Sequence, residues 1–300
     1  MKQSDSACSS CADKSGCSEK GCPSTGSRPG ESAEQYERRM LMQQRLGHIR
    51  NKILVMSGKG GVGKSSTAVN LAMALAQQGH AVGLVDVDIH GPSVPKMLGL
   101  EGVRPKITEA EDAMRPVNYE GLKVMSIGFM LEKDTDAVIW RGAMKAGVIQ
   151  QFLADVEWGY LDYLVVDCPP GTGDEPLSVA QFLGADAQAV IVTTPQEVAL
   201  NDVRKSITFC HQLKMNLLGV VENMSGFVCP HCNEVIDLFK KGGGRQMAEA
   251  MGAPFLGAVP VDPDMVNAGD SGKPVVLAHP ESEVSKALQQ IAQELVDKTA

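Results

Sequence analysis

The chain has 300 residues, 43% of them hydrophobic and 4% aromatic, and a formal net charge of −8. That length buries one large core, or one core with an appendage, and the acidic balance argues against a nucleic-acid partner, because phosphate-backbone binding depends on Lys and Arg. No apolar run reaches the ~18 residues that span a bilayer, and the opening "MKQSDSACSSCADKSG" lacks the apolar segment of a secretory signal. The expected setting is therefore the cytoplasm, with no membrane partner. Disulfides are rare there, and CxxC pairs read as metal or redox sites.

Residues 1–30 are rich in Ser, Gly, Cys and Lys and almost free of large aliphatic residues. Such a tail builds no core of its own and is either disordered or organised by a metal. It carries Cys8, Cys11, Cys17 and Cys22. Residues 31–47 read as a linker helix: Ser32 and Gln35 make a capping box, "EQYERRMLMQQRL" contains no breaker, and Gly47 ends it. Short Val/Ile/Leu runs then recur at 53–56, 82–85, 123–127, 163–166, 189–193, 217–221 and 255–259. Most are continuous rather than alternating, as in strands buried on both faces. Helical patterns lie at 64–78, 143–155, 176–183, 198–214 and 243–251. The alternation predicts an α/β fold with a doubly wound, mostly parallel sheet. In the last helix, 281–297, Val284, Leu288, Ile291 and Leu295 form one stripe, and the remaining faces carry only one Lys, Lys286. That is a packing helix, since a membrane-surface helix has a basic face.

The segment "ILVMSGKGGVGKSSTAVNLAMAL" carries most of the functional information. The spacing from Gly58 to Gly63, Lys64 and Ser65 fits a Walker A phosphate loop between a strand and a helix. Gly58, Gly60, Gly61 and Gly63 let the backbone turn its amides inward, Val62 and Ser66 belong to the same run, and the helix N-terminus adds partial positive charge. Lys64 reaches the β- and γ-phosphates of a nucleotide, and the Ser65 hydroxyl is a ligand for Mg²⁺. Residues 48–300 thus read as one P-loop ATPase domain using ATP and Mg²⁺. Lys59 follows the first glycine, so "GKGGVGKS" resembles the deviant Walker A of the MinD/ParA/nitrogenase-iron-protein class. The resemblance implies that Lys59 reaches across a homodimer to the partner's nucleotide; the bland reading is a solvated loop lysine.

Three aspartates end strands. "GLVDVDIHGPS" places Asp86 and Asp88, and "YLVVDCPPGTGDE" places Asp167, where carboxylates of parallel strands face the ligand crevice. Asp167 fits a Walker B residue that holds Mg²⁺ through water. Asp88 fits the residue that orients the attacking water, and Asp86 a support for the metal. In "PPGTGD", Gly171 and Gly173 permit a mobile γ-phosphate sensor. The alternative is that these aspartates only cap loops.

"DVDIHGPSVPKMLG", "YLDYLVVDCPPGTGD", "VVENMSGFVCPHC" and "FLGAVPVDP" together closely resemble Mrp/ApbC-type iron–sulfur carrier ATPases, the cytosolic nucleotide-binding-protein group, over residues 48–300. The resemblance implies a homodimeric, slow ATPase that assembles a [4Fe–4S] cluster and passes it to apo iron–sulfur proteins. It also implies that Asn223 recognises adenine, with residues 260–262 lining the base pocket; otherwise Asn223 caps a strand end. His90 stands where this family often has Tyr.

Cys229 and Cys232 have ligand spacing, but two thiolates complete neither a tetrahedral zinc site nor a cubane. If the loops of two subunits meet at a two-fold axis, four thiolates bridge one cluster. Zinc accepts the same tetrathiolate set, so a zinc site remains the alternative. Pro230 stiffens the turn, and His231 is read as non-ligating. In the tail, Cys8, Cys11 and Cys17 resemble the last three cysteines of the ferredoxin-like motif of eukaryotic-type members, with Cys22 as a substitute fourth ligand; a [4Fe–4S] cluster, zinc or no metal all fit there. Cys168 and Cys210 read as small packing residues.

Two other functions fit parts of the pattern. A MinD/ParA-like positioning ATPase calls for a basic membrane helix or a DNA-binding surface, and a zinc or nickel metallochaperone calls for the same thiols with a different metal. Because the tail carries almost no core residues, deleting residues 1–30 is expected to leave a soluble ATPase while removing any second iron centre. Sedimentation, with iron and sulfide analysis, checks this, and an insoluble truncation refutes it.

Overall fold

The computed structural model describes residues 32–89, 91–108, 113–130, 142–229, 232, 234–236 and 238–300. Its first element is α1 (Ala33–Gly47), where Ser32 accepts from the Gln35 amide and the Gln35 side chain accepts from the Ser32 amide, closing the capping box. Met42 and Leu46 project from α1 into the main core.

The elements that follow are β1 (Ile49–Met56), α2 (Lys64–Gln77), β2 (Val82–Asp86), α3 (Val94–Met97), β3 (Lys106–Thr108), β4 (Ala113–Arg115), β5 (Val117–Tyr119) and β6 (Leu122–Ser126). Then come α4 (Gly142–Asp155), β7 (Leu161–Asp167), α5 (Asp174–Leu183), β8 (Ala187–Thr193), α6 (Glu197–Gln212) and β9 (Asn216–Glu222). The chain continues through β10 (Phe227–Val228), β11 (Val235–Ile236), α7 (Gly243–Ala250), β12 (Phe255–Ala258), α8 (Pro263–Asp270), α9 (Val275–Ala278) and α10 (Glu283–Thr299).

Eight strands form one sheet in the order β12-β9-β8-β1-β7-β2-β6-β5. Every neighbouring pair is parallel except β5 with β6. The seven parallel strands are those the aliphatic runs predict, and right-handed crossovers put helices on both faces. Helices α2, α9 and α10 pack together on one face, while α1, α4 and α5, and the pair α6 and α7, cover the other. The edge strand β5 was not legible as an aliphatic run. It is three residues long and joins β6 through Glu120 (φ 48°) and Gly121 (φ 87°), the positive-φ pair of a tight hairpin. Strand β1 begins four residues before its aliphatic run, because the polar Asn51 and Lys52 are buried in it and Lys52 pairs with Asp186 at 3.5 Å.

The sequence of crossovers decides where a ligand fits. From β1 the chain passes to β2 on one side and later, through β7, to β8 on the other, so the sheet order reverses at β1. The loop after β1 therefore opens into the crevice at the C-terminal strand ends, where open α/β sheets bind ligands.

Helix α10 seals the α2 face with the predicted stripe: Val284, Leu288, Ile291 and Leu295 are all buried. Leu288→Ala is expected to cost about 2–5 kcal/mol, the range for a cavity at a buried leucine. Urea denaturation followed by circular dichroism checks this; a loss below ~1 kcal/mol would mean that the helix packs loosely.

Candidate nucleotide and thiol site

The loop 57–63 leaves β1 and enters α2 with Gly61 at φ 80° and Gly63 at φ 81°. Both lie in the left-handed region that favours glycine. Two close approaches add to this constraint. A Cβ on Gly58 would stand 2.5 Å from the backbone of Asp202 in α6, and one on Gly63 would stand 2.1 Å from the Asn223 amide nitrogen. The Ser57 hydroxyl donates to the Lys59 carbonyl at 2.9 Å, and the Thr67 hydroxyl donates to the Gly63 carbonyl at 2.8 Å. Gly60 and Gly61 are exposed, Val62 is buried, and Lys59, Ser65 and Ser66 are half-buried around the loop mouth.

Lys64 is buried at the first turn of α2. Its ammonium donates to Asp167 Oδ1 at 2.5 Å and to the Ser65 hydroxyl at 3.2 Å, and lies 3.9 Å from Asp88. Burial alone pulls the Lys64 pKa down, but Asp167, Asp88 and Asp86 outweigh it and hold the amine above its ordinary value. Asp167 ends β7, fully buried. Burial pushes its pKa up, against the pull of Lys64 and of the Ser65 hydroxyl. Asp167 Oδ2 is buried and accepts no hydrogen bond among the described residues.

Asp86, which ends β2, is also fully buried, and burial with the neighbouring Asp167 charge raises its pKa from 3.8 to about 8. Its Oδ1 accepts from the Asp88 amide at 3.0 Å; its Oδ2 accepts from the Ser126 hydroxyl at 2.9 Å and the Val94 amide at 3.3 Å. Asp86 therefore holds the turn that presents Asp88. Three carboxyl groups surround one ammonium. Together with the Ser65 hydroxyl and the orphaned Asp167 oxygen, they make an oxygen-rich donor set that suits Mg²⁺. Gly171, at φ 94°, donates its amide to the Ser57 carbonyl at 2.8 Å, joining the "PPGTGD" loop to the phosphate loop.

Beside the loop lies a cleft of about 450 Å³, lined by Gly63, Ser66, Asn223, Val261, Phe239 and Met265 among others. Asn223 follows β9, is buried, and donates its side-chain amide to the Val62 carbonyl at 2.9 Å. The same asparagine thus lines the cleft and braces the phosphate loop.

Cys229 follows β10, and its amide donates to the Glu234 carbonyl at 2.9 Å, closing a hairpin with β11. Cys229 is half-buried and Cys232 exposed. Among the described residues no group of three or more Cys, His, Asp or Glu side chains is arranged to hold a metal ion. Cys8, Cys11, Cys17, Cys22, His90, Pro230 and His231 lie outside the described residues. Cys168 and Cys210 are buried, and burial pushes both thiols up, Cys210 to about 12.

Sequence reasoning overlooked Ser126 and Glu222. Glu222 is buried at the end of β9 and accepts from the Ser225 hydroxyl and the Gly242 and Gly244 amides. A run of three glycines, 242–244, was the available signal.

The family model described as ParA, NUBPL iron-transfer P-loop NTPase, matches residues 48–296. The chain belongs to this NUBPL family of P-loop NTPases. An iron-sulfur cluster carrier protein of Methanocaldococcus jannaschii is 45% identical over 92% of this chain and 94% of its own length. The human cytosolic Fe-S cluster assembly factor NUBP2 is 46% identical over 85% of this chain and 95% of its own length. Among solved structures, the nucleotide-binding protein of Archaeoglobus fulgidus in complex with ADP is 40% identical with a TM-score of 0.71, covering 82% of this chain and 95% of that one. The cell division ATPase MinD of Pyrococcus furiosus is 25% identical with a TM-score of 0.60, covering 84% of this chain and 100% of that one. The chain thus shares its fold with this MinD structure, as the resemblance in the sequence implies.

The carboxylate cluster of this NUBPL-family chain has a pH signature. An acid whose folded pKa is raised binds extra protons in the folded state, so its contribution to stability is complete below 3.8 and is lost as pH rises through about 8. Asp86→Asn removes that proton dependence while keeping an acceptor for the Asp88 amide. In the nucleotide- and metal-free chain, the variant is expected to gain stability relative to the parent as pH rises toward 8. Parallel melting curves across that range check this; a constant difference would refute it.

Proposed function

We propose that the chain is an Mg·ATP-dependent carrier of a [4Fe–4S] cluster, held between Cys229 and Cys232 of two subunits and passed to apo iron–sulfur proteins. The observation that carries this reading is the position of the thiol hairpin. It is rooted on the wall of the cleft beside the phosphate loop, with Phe227 bridged to Val261. The exposed Ile236 and Leu238, close to the thiols along the chain, favour burial against a second copy. That two curated relatives are named for iron–sulfur clusters supports the choice of cargo, and the cytosolic designation of NUBP2 supports a cytoplasmic setting. Among the described residues no helix is long and apolar enough to cross a membrane.

In this reading the phosphate oxygens of ATP replace Asp167 as the partner of Lys64. The amides of residues 58–66 cradle the phosphates, and Asn223 with residues 260–262 takes the adenine. Mg²⁺, when bound to Ser65 and, through water, to Asp167, supplies charge neutralisation at the β- and γ-phosphates. Asp88, 3.9 Å from the Lys64 ammonium, orients the attacking water. Lys59 reaches the nucleotide of the second copy, so hydrolysis reports and resets the dimer. The cluster is cargo: each copy supplies two thiolates, and four complete its ligation.

Lys64→Ala is expected to abolish ATP hydrolysis and to weaken ATP binding by about 2–3 kcal/mol, the worth of one charge-assisted contact. A coupled phosphate assay and calorimetry check this, and turnover at the parent's rate removes the phosphate loop from the mechanism. For the cargo, anaerobic reconstitution of the protein lacking residues 1–30 is expected to give about four iron and four sulfide per two chains, lost in Cys229→Ser. One zinc per two chains, with no iron, would replace the carrier with a zinc-binding protein.

A further inference from the structure

Glu222 belongs neither to the phosphate loop nor to the thiol pair, yet it is 0% exposed and touches both ends of the segment that carries the thiols. Its Oε1 accepts from the Ser225 hydroxyl at 2.5 Å and the Gly242 amide at 2.8 Å, and its Oε2 accepts from the Gly244 amide at 2.5 Å. Ser225 precedes the Cys229–Cys232 hairpin, and Gly242 and Gly244 follow it. One side chain therefore closes the loop across its base.

The glycines make this closure possible. Gly242 adopts φ 81°, a Cβ on Gly243 would stand 2.5 Å from the Pro195 carbonyl oxygen, and one on Gly244 would stand 2.9 Å from Glu222 Oε2. The two amides that reach Glu222 open the eight-residue α7, where a carboxylate also suits the helix dipole.

The legs of the same loop form part of the nucleotide cleft. Met224 and Phe239, one on each leg, line it. The Ser225 amide donates to the Val259 carbonyl at 2.9 Å, and the Val261 amide to the Gly226 carbonyl at 2.8 Å, which stitches the first leg to the cleft wall. Asn223, next to Glu222, bonds the phosphate loop at Val62.

We propose that Glu222 is a positioning residue that makes the thiol loop and the nucleotide cleft one mechanical unit, so that an adenine nucleotide in the cleft changes the setting of Cys229 and Cys232. The transmission rests on the proposed reading that this cleft takes a nucleotide. Without the clasp, the Gly242 and Gly244 amides lose their acceptor and the second leg keeps only the exposed Lys240–Glu197 pair as a side-chain tie, so what happens at the cleft no longer reaches the thiols.

The test needs no cluster. In the full-length, fully reduced, metal-free chain, alkylation by iodoacetamide is timed at Cys229 and Cys232 by peptide mass spectrometry, with and without a non-hydrolysable ATP analogue and Mg²⁺. Binding of the analogue is measured separately by calorimetry. Cys168 and Cys210, buried with thiols pushed up, report unfolding. In the parent, the analogue is expected to slow alkylation of the pair about fivefold or more, a coupling of the usual allosteric size. Glu222→Gln keeps the size of the side chain but turns an NH₂ group toward an amide donor, and there the analogue is expected to bind while altering the rates less than about twofold. Ser225→Ala removes one donor only and is expected to at least halve the parent's effect.

Binding without a rate change in the parent overturns the proposal, as does a full effect retained in Glu222→Gln. If that variant exposes Cys168 or Cys210, Ser225→Ala decides, and an undiminished effect there overturns the clasp. A parent that binds no analogue at all overturns the nucleotide reading itself, a result distinct from binding without coupling.

Discussion

A buried ammonium held by a buried carboxylate organises this molecule. Lys64 and Asp167 meet at 2.5 Å at the mouth of the central strands, with Asp86 and Asp88 close by. Ions out of water lose several kcal/mol of hydration each, and a pair recovers that only with good geometry and further hydrogen bonds. Here the balance is incomplete: Asp167 Oδ2 has no hydrogen-bond partner among the described residues, and burial beside Asp167 pushes the Asp86 pKa up to about 8. A site tuned only for stability would not leave such deficits. A site awaiting a polyanion with its cation would, because phosphate oxygens and Mg²⁺ meet both the lysine and the spare oxygens.

The sheet order makes that meeting possible. Strands β7 and β1 are neighbours, as are β7 and β2, although each pair is separated in sequence by at least one crossover helix. The parallel pairing of Asp86 with Asp167, and of Val55 with Asp167, brings three strand ends to one level. On the far side of β1, β8 and β9 carry the chain to Glu222 and Asn223. Two consecutive residues there face different tasks: Asn223 braces the phosphate loop, and Glu222 ties the thiol loop. Side chains alternate between the faces of a strand, and the end of β9 uses that alternation to serve two sites.

The magnitudes separate what is structural from what is poised to change. Buried side chains such as Leu288 and Leu84 are fully enclosed, and removing one costs about 2–5 kcal/mol. Exposed ion pairs such as Lys240 with Glu197, at 3.2 Å, contribute on the order of 1 kcal/mol or less. The core therefore sets the positions of β1, β7 and β9, while Lys59, Cys229 and Cys232 are all at least partly open to solvent.

The sequence by itself determined the elements and the chemistry of the phosphate loop. Seven aliphatic runs became the seven parallel strands, Ser32 and Gln35 cap α1, and the Gly58–Ser65 spacing marks a nucleotide loop, because each of these signals is local: period, cap and turn are written within a few residues. Strand β5 escaped because three residues and a tight turn leave too short a pattern. The tertiary structure alone decided that Lys64 rests on Asp167 and that burial pushes the Asp86 carboxyl up. It alone also brought Asn223 to Val62 and closed the cysteine loop on Glu222. Those contacts join residues far apart in the chain, and the free energy that selects them, burial of charge against a small set of donors, exists only after the sheet has assembled.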